Sequence, residues 1–85
     1  MEIKYAKSFK DRLFGLMFKK NINYILCFER CNCIHTFFMR ERINVFFVDR
    51  NNNILRVYKN VPKNRILICW NAYYTYEAPA RVTNI

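Results

Sequence analysis

One glycine and two prolines in 85 residues leave this chain no Gly- or Pro-rich linker, and no low-complexity tract beyond a bias toward asparagine, notably Asn51-Asn52-Asn53. Long apolar runs are absent too. The two longest, Tyr24–Phe28 and Ile66–Trp70, are five residues each, far short of the ~20 that a membrane-spanning helix needs. The opening Met1-Glu2-Ile3-Lys4 has no apolar core of a signal peptide. The four cysteines therefore read as reduced thiols in a cytoplasmic protein rather than a disulfide framework. Acidic residues are scarce: six Asp and Glu face fifteen Lys and Arg, for a net charge of +9. The excess is even along the chain, which argues against a basic arm.

What is present points to strands. Val, Ile, Thr, Phe, Tyr and Trp total 32 residues, whereas Ala, Leu and Met total 12, a balance that suits pleated surfaces. An apolar content of 53% is too high for a disordered tail. The length fits a single small domain, 1–85.

Glu2–Ala6 alternates and reads as a first strand. Ser8 is placed to cap a helix over Phe9–Phe18, with Asp11 in its first turn and Phe9, Leu13, Leu16 and Met17 at helical spacing. Gly15 falls inside that window, where it either shortens the helix or lets another backbone approach closely. Strands follow at Tyr24–Phe28, Ile34–Met39, Val45–Asp49, Ile54–Tyr58, Ile66–Trp70 and Tyr73–Glu77. Val45–Asp49 and Ile54–Tyr58 flank Arg50-Asn51-Asn52-Asn53 and form the clearest hairpin. In its second strand Leu55 and Val57 are expected inside and Arg56 in water. The fold class is mainly β, a small open barrel or sandwich with one short N-terminal helix.

Four segments together resemble the domain of unknown function 192 family over roughly residues 6–80. The segment from Ala6 through Arg12 to Gly15-Leu16-Met17 resembles its Arg-x-x-Gly-Leu-Met opening. Cys31-Asn32-Cys33-Ile34-His35-Thr36-Phe37-Phe38-Met39 resembles its Ile-His-Thr-Phe-x-Met centre, and Ile43–Asp49 its Ile-Asp-Val-x-Phe-x-Asp strand. Tyr76-Glu77-Ala78-Pro79-Ala80 is a weaker match to its Leu-Glu-Leu-Pro-x-Gly close. The resemblance implies a compact, mainly β fold with one short helix, and no activity. Asn44 replaces the family Asp, which weakens any carboxylate-dependent site there, and Arg81 stands at the closing Gly. The end at Ile85 falls short of the family's usual extension, so an element is expected to be lost or replaced by self-association.

Cys31-x-Cys33-x-His35 is the most chemically suggestive spacing, since i, i+2 and i+4 share a strand face. Cys31 and His35 would stand ~13 Å apart in an extended strand, beyond the roughly 10 Å that side chains and zinc bonds span. Buried thiols beside a hydrogen-bonded His are the better reading, and neither a metal nor another cofactor is expected. A thiol-dependent enzyme using Cys33 and His35 lacks an identifiable third orienting group. Arg40, Arg42, Arg50, Arg56, Lys59, Lys63 and Arg65 surround the hairpin and could make a basic, nucleic-acid-binding face, which is not the favoured reading. Glu77, alone between aromatics, is expected to pair with a nearby arginine. The favoured function is a non-enzymatic binding or accessory domain. Its electropositive site is formed by Arg12, His35 and Arg65, and its partner is an anionic ligand or an acidic protein. No catalytic residue is assigned and no membrane is expected.

Overall fold

The computed structural model describes residues 2–81. The side chains of Phe9 and Leu13 and the segment 82–85 lie outside the described residues, so the helical-face reading of Phe9 and Leu13 is not addressed. The element order is β1 (Glu2–Tyr5), α1 (Phe9–Phe14), β2 (Tyr24–Glu29), β3 (Cys33–His35), β4 (Ile43–Val48), β5 (Ile54–Val61), β6 (Ile66–Ile68) and β7 (Tyr74–Pro79). The fold is mainly β. A five-stranded sheet runs β1-β2-β7-β4-β5, and a two-stranded ribbon pairs β3 with β6. β1 and β2 are parallel, joined across α1, and every other pairing is antiparallel.

The helix begins as its sequence directs. Ser8 accepts the Asp11 main-chain N–H at 3.0 Å, and Asp11 lies in the first turn, where the helix dipole favours negative charge. It ends after six residues at Phe14, four residues earlier than Phe18, with Gly15 as its cap. Gly15 has φ of 50°, in the range that favours glycine. A side chain here would be strained, and its Cβ would come within 3.1 Å of the Phe28 ring. The single glycine thus shortens the helix as expected, while the close neighbours it admits are side chains and not another backbone.

Alternation along the strands gives the large sheet an inner and an outer face. Leu26, Phe28, Ile43, Val45 and Phe47 join Ile34 of the ribbon and Leu16 in one core, with Leu67 of β6 packed against it. The outer face carries a smaller cluster, Phe46, Val48 and Ala78, ringed by Ile25, Tyr74 and Tyr76. Among the described residues no helix is long and apolar enough to cross a membrane.

The β4–β5 hairpin forms as expected. Asp49 accepts the main-chain N–H groups of Asn51 and Asn53, each at 2.9 Å. With the Asn53 bonds foremost, this holds its carboxyl below the usual range. Asn52 takes φ of 65° at the tip, and Asn60 and Asn64 take 56° and 67°. The asparagine bias thus supplies left-handed positions that a glycine-poor chain cannot fill otherwise.

One detail of the hairpin is corrected. Val48 pairs with Ile54 and Phe47 with Arg56, which leaves Leu55 unpaired at a register shift. Val57 lies opposite outward-facing Phe46. Leu55 is therefore 38% exposed and Val57 43% exposed, not inside, while Arg56 is exposed as expected. An extra residue in one strand changes which face the following side chains take. Phe47 is fully buried and meets the Tyr58 ring edge-on at 6.1 Å. Phe47→Ala should cost about 3–5 kcal/mol in urea denaturation, whereas Leu55→Ala should cost less than about 1 kcal/mol. Equal costs would contradict this register.

Candidate functional site

Between α1, β3 and the inner face of the large sheet lies a cavity of about 200 Å³. Arg12 and Gly15 line it from α1 and its cap, Cys33 and His35 from β3, and Phe28 and Glu77 from β2 and β7. Leu16, Met17, Ile34 and Met39 add apolar wall.

Glu77 dominates its chemistry. It occupies an inner-face position of β7, between Leu26 of β2 and Val45 of β4, where alternation calls for an apolar residue. It is only 4% exposed. Among the described residues its carboxyl has neither an ion pair nor a hydrogen bond, and the one salt bridge there joins Arg81 to Glu41. No buried side-chain oxygen or nitrogen among them is fully enclosed without a partner, so the Glu77 oxygens open onto the cavity they line. Burial disfavours the charged form and pushes the carboxyl up to about 8. The expected arginine partner is thus corrected. Arg12 lines the same cavity but donates to the main-chain carbonyls of Glu29 and Arg30, at 2.7 and 3.4 Å. A Cβ on Gly15 would lie 3.7 Å from a Glu77 oxygen, so the cap covers the carboxyl closely.

His35 accepts the Phe37 main-chain N–H on Nδ1 at 3.1 Å and stacks on the Phe37 ring at 5.2 Å. In its neutral form it therefore carries its proton on Nε2. The titratable groups around Glu77 in the cavity are thus Arg12 from α1, His35 and Cys33 from β3, and Cys31 just before β3. β2 and β4 flank it with Leu26, Phe28 and Val45.

Arg12 and His35, expected to act together, do line one cavity. Arg65 is not among its lining residues; it is exposed and donates to the Asn64 carbonyl at 3.4 Å. Its main chain serves the fold instead, exchanging bonds of 2.8 Å with the Thr36 main-chain N–H and hydroxyl. Cys31 donates its thiol to the Cys33 carbonyl at 3.4 Å. Among the described residues no three His, Cys, Asp or Glu side chains gather as a metal-binding group. Cys27 lies on the outer face, opposite Tyr76, and burial pushes its thiol up. Arg40, Arg42, Lys63 and Lys20 line one shallow groove, while Arg50 sits beyond the other end of β4, over the Tyr73 ring.

Two departures from the family pattern have structural roles. The buried Asn44 accepts the Asn60 main-chain N–H at 2.8 Å, next to a register shift between β4 and β5. An aspartate oxygen could accept the same bond. Arg81, in place of glycine, bonds the Glu41 carboxylate and the Ile22 carbonyl and so fastens the loop before β2.

A family model, DUF192 (uncharacterized ACR), matches residues 1–84. The chain belongs to the DUF192 family. The UPF0127 protein PH1112 of Pyrococcus horikoshii is 40% identical over 83 residues, covering 92% of this chain and 72% of that protein. A UPF0127 protein of Thermococcus sibiricus is 34% identical over 86 residues, covering 94% of this chain and 56% of that protein. The DUF192 chain thus spans little more than half the length of the latter relative. A Novosphingobium aromaticivorans protein of unknown function shares the fold at a TM-score of 0.81 and 14% identity, covering 92% of this chain and 62% of that one. A Sinorhizobium meliloti protein described as a candidate transcription regulator does so at 0.81 and 16%, covering 92% and 67%.

The buried carboxyl makes stability depend on pH in a defined sense. Unfolded Glu77 titrates at its ordinary value of 4.5 and folded Glu77 at about 8, so between them the folded state binds the extra proton. Through Glu77, stability should fall by ~1.4 kcal/mol per pH unit from about pH 5 to 8 and level off above. Urea denaturation across this range should show that slope in the parent protein, and Glu77→Gln should lose it. An unchanged slope in the variant would contradict the assignment.

Proposed function

We propose that this domain is a non-enzymatic binding module whose ligand presents a carboxylate or similar small anion to the cavity over Glu77. The observation that carries this reading is the convergence of Arg12 and His35 on a cavity whose only carboxyl among the described residues is one that burial keeps largely neutral at pH 7. Arg12 supplies the charge, while the neutral Glu77 carboxyl and the His35 Nε2–H supply further donors. The main-chain carbonyls that hold Arg12 fix its guanidinium before any ligand arrives.

The cavity suits a small group, since about 200 Å³ is less than a drug-sized ligand fills. A thiol-dependent reaction gains no support. His35 Nδ1 accepts a main-chain N–H, so the neutral ring carries its proton on Nε2 and has no free nitrogen to take one from a thiol. A nucleic-acid reading is favoured no further by the separation of Arg50 from the groove of Arg40, Arg42 and Lys63. The four cysteines are free, which fits a reducing, cytoplasmic setting.

Calorimetric titration with butyrate tests this reading. Binding at pH 6 should weaken by about tenfold or more at pH 9, where the ionised Glu77 repels the anion. Arg12→Ala should remove binding, and Arg12→Lys should restore part of it. No binding at pH 6, or binding indifferent to Arg12, would overturn the reading.

A further inference from the structure

The side of the cavity formed by β3 holds a second kind of recognition. Cys33, Ile34 and His35 all line the cavity, although successive strand side chains point to opposite faces. A cavity touched by all three lies along the edge of the strand. Among the described residues that edge is the free one, because there β3 pairs only with β6 and no residue of β6 lines the cavity.

The direction of the main-chain groups follows from the register. Cys69 N–H donates to the Asn32 carbonyl and Thr36 N–H to the Arg65 carbonyl, each at 2.8 Å. In an antiparallel ladder with Ile34 opposite Leu67, the groups of Asn32, Ile34 and Thr36 therefore point to β6. Those of Cys33 and His35 point the other way, to the cavity. Among the described residues no main-chain group pairs with the His35 N–H or carbonyl on that side. The Cys33 carbonyl is met only by the Cys31 thiol, a weak donor.

Next to this edge the cavity offers apolar wall from Leu16, Met17, Phe28 and Met39. Phe18 and Phe38 follow Met17 and precede Met39 in sequence. Both take left-handed backbone, with φ of 64° and 62°, and both are largely exposed with their rings stacked at 5.4 Å. Bulky residues rarely hold that conformation, and burial in the core does not account for it here. Arg12 stands at the Cys33 end of β3, because the carbonyls it grips belong to Glu29 and Arg30, just before the loop into β3.

The geometry points to the C-terminus of an extended polypeptide as the ligand: its main chain adds to the free edge of β3, its last side chain enters the cavity, and its α-carboxylate meets Arg12. This rests on the anion-binding reading above and specifies its ligand. With Arg12 at the Cys33 end, the bound segment runs antiparallel to β3. Main-chain bonds to Cys33 and His35 give affinity without regard to sequence. The small apolar cavity selects a modest aliphatic side chain at the last position, and the charge at Arg12 demands a free terminus. The partner is a protein with an accessible, apolar C-terminal residue.

Acetylated tetrapeptides ending in Ala, Val or Leu, each as the free acid and as the C-terminal amide, test this against butyrate by NMR titration of the full chain. The free acids should bind at least about tenfold tighter than the amides and tighter than butyrate. They should also slow hydrogen exchange at the Cys33 and His35 amides, which butyrate should not. Free acids that bind no better than butyrate, or that leave both amides unprotected, would overturn the peptide assignment and leave the anion site standing. If neither butyrate nor the free acids bind, both readings fall. Arg12→Lys, with the melting temperature as its folding control, should narrow the gap between acid and amide; a gap unchanged from the parent would overturn Arg12 as the carboxylate's partner.

Discussion

A carboxyl group occupies a place on the inner face of the central sheet where its cross-strand neighbours are apolar. Leu26 and Val45 flank Glu77 across the ladder, Phe28 lies beside it, and the Gly15 cap closes over it. Taking an ionised carboxylate into such surroundings without a partner is costly, and the group responds by holding its proton. The rest of the site follows from that. With Glu77 neutral, the charge in the cavity is that of Arg12, and the cavity can attract an anion that an ionised Glu77 would repel.

The fold is arranged around that carboxyl. α1 stops at Gly15, where φ of 50° with ψ of −122° favours a residue without Cβ and a Cβ would crowd Phe28, and the early stop leaves room for a cavity in place of about one further helical turn. Arg12 is one turn back from the cap, and its guanidinium is tied to the end of β2. The ribbon of β3 and β6 packs Ile34 and Leu67 onto the core and so holds a free strand edge against the opening. Thr36, bonded to Arg65 and to the Pro62 carbonyl at 2.8 Å, fixes the end of that ribbon.

Much of the architecture was legible in the residues. Alternation located the strands, the Asn-rich turn located the hairpin, and Ser8 with Asp11 located the helix start. What escaped was non-local. The bulge that leaves Leu55 and Val57 exposed depends on the pairing of β5 with β4, which alternation within β5 does not report. The segment Ile34–Met39 reads as one strand, but its ladder ends at His35, where Thr36 turns its side chain and main chain to the loop after β5. Of the three polar groups read beside apolar stretches, Arg12 and His35 line one cavity, whereas Arg65 lies outside its lining and its main chain bonds Thr36. Glu77 was misread because a lone acid in a basic chain suggests an ion pair. Its place on the inner face, in phase with Thr75 and Pro79, was the signal for burial.

The central claim is that Glu77 keeps its proton near neutral pH because the fold buries it with no partner among the described residues. Carbon-13 NMR of the Glu77 side-chain carboxyl, followed from pH 4 to 10, tests it most directly. The account predicts a midpoint near 8, well above the ordinary 4.5. A Glu77 midpoint near 4.5 would contradict it, and with it the neutral floor on which the proposed anion site depends.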